Sequence, residues 1–220
     1  VTAALCLRQT WLRPSMLFGR IDGEALRELL KFTAMALTST IVTPLTQILI
    51  RNHLTGQFGA DNAGYWEALI RISSLHLMIV TVPLSIYYLP RLAEIRKETE
   101  IRREILHGYR LLVPLTAIGA CVIYLLRNFI IAVLFTPEFA PMADLFGWQL
   151  AGDIAKVSGA LFGYVLVSRG KSTEFIATEL IFGFSYYILT VLISQYYGFH
   201  YVPLSYFINN SLYLLFISIY

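Results

Sequence analysis

The stretch DLFGWQLAGDIAKVSGALFGYVLVS, residues 144–168, decides how this chain is read. Its length and apolar content are those of a membrane-spanning helix. Yet Asp153 and Lys156 stand near its middle. Three residues apart, they share one helical face. A charge at mid-membrane costs about 2.5–3.5 kcal/mol, and a Leu or Ala there would avoid that cost. Two readings are open. The pair is a self-neutralising structural couple, or it lines a polar, water-accessible interior. Around it, Gly147, Gly152, Gly159, Ala160 and Gly163 permit close approach of neighbouring helices.

The rest of the chain has the same character. Its 220 residues are 57% hydrophobic and only 14% charged, with a mean hydropathy of +0.64. Soluble domains carry about 25% charged residues. The composition therefore excludes a soluble domain and predicts an all-α, polytopic membrane bundle. Apolar segments place six transmembrane helices near 32–50, 66–89, 111–126, 145–168, 175–197 and 202–220. Residues 1–31 read as the end of a preceding membrane helix and a connection, with Asp22 as a helix N-cap. Residues 32–220 read as a six-helix transmembrane lobe. The chain opens without Met and ends inside an apolar run, so it reads as a piece of a longer protein. No signal peptide is expected. Cys6 and Cys121, far apart in apolar surroundings, read as buried small residues rather than a metal or redox pair.

Of the 17 Lys and Arg residues, all but four lie in the connections preceding the first, third and fifth spans. Arg51 and Arg127 lie on the other side, and Arg71 and Lys156 within spans. The positive-inside rule makes the basic side cytoplasmic. A basic excess confined to such connections does not point to nucleic acid.

Other features inside the spans attract attention. Arg71 follows Glu67 by four residues, the favoured order for a helix pair. It either snorkels to the interface or lines a cavity. His76 reads as a packed, hydrogen-bonded residue. Glu179 adds a further intramembrane charge. Pro44, set among Thr38, Ser39, Thr40, Thr43 and Thr46, and Pro83 mark kinks or hinges. The segment 51–65 reads as a polar loop, and Trp66 as an interfacial aromatic. Mixed charges over 91–110 read as a solvated connecting helix. Arg127 and Asn128 either lie within one long tilted helix or divide a span from an interfacial segment.

Several functions are excluded by what is missing. No GxxxxGK[ST], HExxH, CxxC or GxSxG is present, and no nucleophile set. These absences argue against an enzyme, a metal site or a bound cofactor. The scattered intramembrane charges form no voltage-sensing Arg ladder. Transport by conformational change remains, with Lys156, Asp153, Arg71 and Glu179 as the charges lining the route.

Gly64-Tyr-Trp-Glu67, Tyr88-Leu-Pro-Arg-Leu-Ala-Glu94, Leu125-Leu-Arg-Asn-Phe129, the run from Asp144 to Lys156, and Phe162-Gly-Tyr164 together resemble the Wzx-type flippases. These belong to the multidrug/oligosaccharidyl-lipid/polysaccharide exporter superfamily. The likeness is to its flippases for the enterobacterial common antigen lipid and to O-antigen translocases, and it runs from Asp22 to Tyr220. The resemblance implies the C-terminal lobe of a twelve-helix, two-lobed transporter with a central polar cavity. It implies translocation of an undecaprenyl-diphosphate-linked oligosaccharide to the periplasmic leaflet of the bacterial inner membrane by alternating access. Partners implied are that lipid, the membrane itself, and polysaccharide polymerase and chain-length machinery. A diphosphate is a compact dianion suited to Arg and Lys. Arg71 departs from the small polar residue expected in such relatives. Two alternatives stand beside this one. The first is a cation-coupled multidrug antiporter of the same superfamily, with Asp153 and Glu179 as its cation site. The second is a non-transporting scaffold of a polysaccharide assembly complex, with the charges as interhelical glue.

Overall fold

The computed structural model describes residues 23–219. The expected end of a preceding helix, the Asp22 cap and Cys6 lie outside the described residues. Helices are α1 (Gly23–Phe58), α2 (Ala60–Pro83), α3 (Leu89–Glu94), α4 (Glu98–Leu134), α5 (Phe146–Ser168), α6 (Ser172–Tyr197) and α7 (Val202–Ile219). A single π-helical turn, Leu84–Tyr88, joins α2 to α3, and 3₁₀ turns at Pro137–Leu145 and Phe199–Tyr201 precede α5 and α7. No strand occurs among the described residues. Six of the helical segments are long and apolar enough to cross a membrane, with the α2–α3 run counted as one. In hydrocarbon every backbone polar group needs an internal partner, so a helix is the form such segments take.

Helix ends differ from the sequence reading in two places, and a third reading left open is decided. Segment 51–65 is helical except for its hinge point. The chain turns on Gly59 (φ 88°), a backbone conformation glycine adopts without penalty, and both helices run up to it. Asn62 caps the tip by donating to the Phe58 carbonyl at 2.8 Å. Arg127 and Asn128 do not interrupt α4. Arg127 reaches back to the Tyr124 carbonyl at 2.8 Å and stacks on the Tyr124 ring, so the helix continues to Leu134. The charged segment after Lys97 is the first part of that same helix rather than a separate connector.

Packing is concentrated around α5. It lies against α7, α4 and α2, and more than half of its membrane window is buried. Glycines set the approach. A Cβ at Gly152 would run into the Tyr206 ring and reach 3.2 Å from the Phe207 backbone nitrogen. One at Gly159 would come within 2.7 Å of the Tyr213 ring. Small residues at such contacts let helix backbones close on one another in lipid, where dispersion contacts drive association. α1 packs chiefly on α6, with Gly183 giving room to Val42. The remaining apolar faces, including Leu125 of α4 and Ile79 of α2, point outward, as lipid-facing side chains do. Cys121 is also exposed on α4 and not buried as expected, because its face of the helix has no helical neighbour. Trp66, expected as an interfacial aromatic, is buried in the cluster with Ile50, Leu54, Ala63 and Val202. The extension of α1 and α2 toward Gly59 carries it into helix–helix contact.

Candidate functional site

The polar centre of the bundle is Asp153, whose side chain is fully buried. Ser73 on α2 donates its hydroxyl to Oδ1 at 2.6 Å. Tyr206 on α7 donates to the same oxygen at 3.2 Å. His76 Nδ1, one turn beyond Ser73, lies 3.3 Å from Oδ2. Gln149 on α5 extends the network by donating to Ser73 Oγ at 3.1 Å. Three helices are thereby tied to one carboxylate. Lys156 is not among its contacts. The ammonium instead lies 5.8 Å from the centre of the Tyr206 ring, at the outer range of a cation–π contact.

In front of this network is a cavity of about 400 Å³ walled by α1, α2, α5, α6 and α7. Lys156 and Glu179 both line it. Lys156 is exposed, and its side chain lines this space. Neutral polar groups complete the lining, among them Thr43, Gln47, Asn209 and Asn210. Tyr164, Tyr186, Tyr206 and Tyr213 supply aromatic surface. A concave, mostly apolar space with a few convergent polar groups has the anatomy of a small-molecule site.

The structure therefore brings Lys156 and Glu179 together at one cavity. Asp153 is linked to that cavity through Ser73, Gln149 and Tyr206, which line it. Arg71 is elsewhere. Its side chain is 77% exposed, and its guanidinium is 3.5 Å from Glu67. Glu67 is also 3.5 Å from Arg51 of α1. Pro44 is exposed on α1 between the cavity residues Thr43 and Thr46. Pro83 lies away from the cavity and immediately precedes the π-helical turn. Sequence reasoning did not single out Ser73, Gln149, Tyr206 or Asn209. One signal was available for the last, since Asn209 and Asn210 are adjacent amides inside an apolar span. The other three look ordinary until the helices are placed. Among the described residues, no group of His, Cys, Asp and Glu has the arrangement of a metal site.

A bundle with six helical segments long and apolar enough to span a membrane, enclosing a charged, aromatic cavity, defines a polytopic membrane protein. Over 171 residues, 78% of its length, the chain is 33% identical to the lipid III flippase of Escherichia coli (strain K12). It matches the lipid III flippase of Shigella flexneri to the same extent. The chain spans about 40% of the length of these relatives. The chain is thus similar to lipid III flippases, in line with the resemblance drawn from the residues around Asp144. No family model matches the chain, and no solved structure matches it.

Proposed function

We propose that the chain is the C-terminal lobe of a lipid-linked oligosaccharide flippase in the bacterial inner membrane. In this reading the whole protein moves an undecaprenyl-diphosphate-linked glycan to the periplasmic leaflet by alternating access. The observation that carries the proposal is the 33% identity over 171 residues to the lipid III flippases. A cavity bearing Lys156 and Glu179 at membrane depth supports it, because ionisable side chains facing a cavity inside membrane spans are costly and mark substrate paths. The glycan and diphosphate would cross through protein while the prenyl chain stays in lipid. Arg71 and Lys156 are the cations proposed to meet the polar head, and Asp153 positions the wall behind them. Pro44 and Pro83 are proposed as the points where helices bend during exchange. The polymerase and chain-length machinery of the same glycan are proposed partners. Neither the multidrug antiporter nor the scaffold alternative is favoured by the relatives.

The test is periplasmic exposure of the lipid-linked glycan in cells lacking the full-length protein and any redundant flippase. Loss of exposure in that strain is expected, with recovery on complementation. Lys156→Ala is expected to restore less than a tenth of wild-type exposure at equal protein level. Normal exposure in the deleted strain would overturn the proposal.

A further inference from the structure

A second recess lies on the outer surface of the bundle, between α4 and α5, and shares no lining residue with the cavity that holds Lys156. We infer that it binds the head group of an ethanolamine phospholipid of the surrounding membrane, with the phosphate on Arg127 and the ammonium on Asp144. Such a site goes beyond the transport reading and is independent of the cargo.

Position is the first argument. The recess holds about 430 Å³ between Tyr124 and Arg127 of α4 on one side and Asp144, Gly147 and Trp148 on the other. Leu111–Leu126 of α4 carries no charge. At ~1.5 Å per residue that run covers about 24 Å, most of a ~30 Å hydrocarbon core. Arg127 closes the run, about two turns before α4 ends at Leu134. Asp144 lies in the 3₁₀ turn just before α5. Both therefore stand toward the end of the bundle opposite the basic connections, where lipid head groups meet the protein.

Charge is the second. Arg127 donates one N–H to the Tyr124 carbonyl at 2.8 Å, and its guanidinium lies 4.3 Å from the centre of the Tyr124 ring. No carboxylate pairs with it, and no cation pairs with Asp144, among the described residues. A guanidinium has five N–H donors, so most of them remain for a phosphate, which it holds by charge-assisted hydrogen bonds. One cation and one carboxylate in the same recess are balanced and match a zwitterion. An anionic head group would be repelled by Asp144. A primary ammonium donates hydrogen bonds to the carboxylate, whereas a quaternary ammonium has no N–H to give.

Shape is the third. Trp148 is 42% exposed, and its ring is 5.5 Å from that of Phe207 on α7. An exposed indole anchored in this way suits a cation, which it attracts within ~6 Å of the ring centre. Ala143, Gly147 and Ala151 follow at spacings of four and line the recess with small side chains. Gly147 is not required for helix approach. A Cβ there would lie 3.8 Å from the Tyr124 ring, an ordinary contact. Unlike Gly152 and Gly159, it seats no ring and leaves the recess open.

The experiment uses the full-length protein, purified and delipidated. It is offered an equimolar mixture of phosphatidylethanolamine, phosphatidylcholine and phosphatidylglycerol, and bound lipid is read by native mass spectrometry. Wild type is expected to retain phosphatidylethanolamine at least fivefold over each of the others. Arg127→Gln is expected to lower that binding at least fivefold. Gly147→Leu, which fills the recess and keeps both charges, is expected to lower it as far. Asp144→Asn is expected to bring phosphatidylglycerol level with phosphatidylethanolamine, a gain that a misfolded variant cannot show. Equal retention of the three lipids by wild type, or a preference for phosphatidylglycerol, overturns the site. So does a wild-type pattern in either Arg127→Gln or Asp144→Asn. Glycan exposure in cells tests the transport reading separately, so the two can fail independently.

Discussion

Asp153 is the residue on which the bundle's polar interior depends. An isolated carboxylate at this depth would be costly, and it is kept by donors from two other helices. Replacing it leaves the Ser73 and Tyr206 hydroxyls and the His76 ring without their acceptor, all three residues being buried. A hydrogen bond to a charged group contributes about 1.5–3 kcal/mol, and an abandoned buried donor carries its own penalty. Asp153→Ala is therefore expected to destabilise the full-length protein by about 3 kcal/mol. Asp153→Asn, which retains one acceptor oxygen, is expected to cost about half as much. Thermal unfolding in detergent, followed by near-UV circular dichroism, checks both, and equal midpoints for wild type and Asp153→Ala would contradict the network's role. The sequence made Asp153 conspicuous because a charge in an apolar run is costly wherever it faces. It paired the residue with Lys156 because only local spacing is visible in a sequence. The true partners are 80, 77 and 53 positions away, and no periodicity within one helix encodes them. Lys156 is thereby released to the cavity.

At the scale of elements, α5 against α7 is the contact that shapes the cavity wall. Its glycines were legible as close-approach positions, but which rings they receive was not. Gly152 seats Tyr206, one of the donors to Asp153, so packing and the polar network meet at one point. Gly152→Ala has nowhere to place its methyl group except into that ring and the backbone beside it. Overpacking of this kind costs about 1–3 kcal/mol. The variant is expected to lose about 2 kcal/mol, with Tyr206 displaced from Asp153. Combining it with Tyr206→Phe tests the coupling in a double-mutant cycle. Once the hydroxyl is gone, Gly152→Ala is expected to cost measurably less than in the wild-type background. Equal costs in the two backgrounds would separate the glycine contact from the network. The helix ends were the least legible feature. The polar residues of 51–65 were read as a loop because their polarity suits one, and the Arg127–Asn128 pair left open whether a long helix continued through it. In the structure they ride on helices that extend past the apolar core, where water and neighbouring side chains serve polar groups. The breaker that mattered was Gly59, a single glycine with positive φ.

For the whole molecule, six crossings and an all-helical bundle were readable from apolar run lengths, because hydrocarbon thickness fixes the length of a spanning helix. The sidedness drawn from Lys and Arg has a structural counterpart. Arg169, in the turn after α5, donates to the Ile95 carbonyl beyond α3 at 2.7 Å, which joins two of the basic connections at one end of the bundle. At the opposite end aromatic rings meet instead. Phe58 contacts Phe199 at 5.8 Å and Tyr65 contacts Phe139 at 5.3 Å, as befits an interface rich in aromatic residues. Orientation then follows from which end the basic residues hold in the cytoplasm, and it can be measured directly. In a full-length protein with Cys6 and Cys121 replaced by Ser, a cysteine at Ala60 tags the aromatic end and one at Thr173 tags the basic end. Both positions are exposed. A membrane-impermeant maleimide applied to cells with a permeable outer membrane is expected to label Ala60→Cys within minutes. Thr173→Cys is expected to stay unlabelled until the inner membrane is opened, when both react. The reverse pattern would invert the lobe.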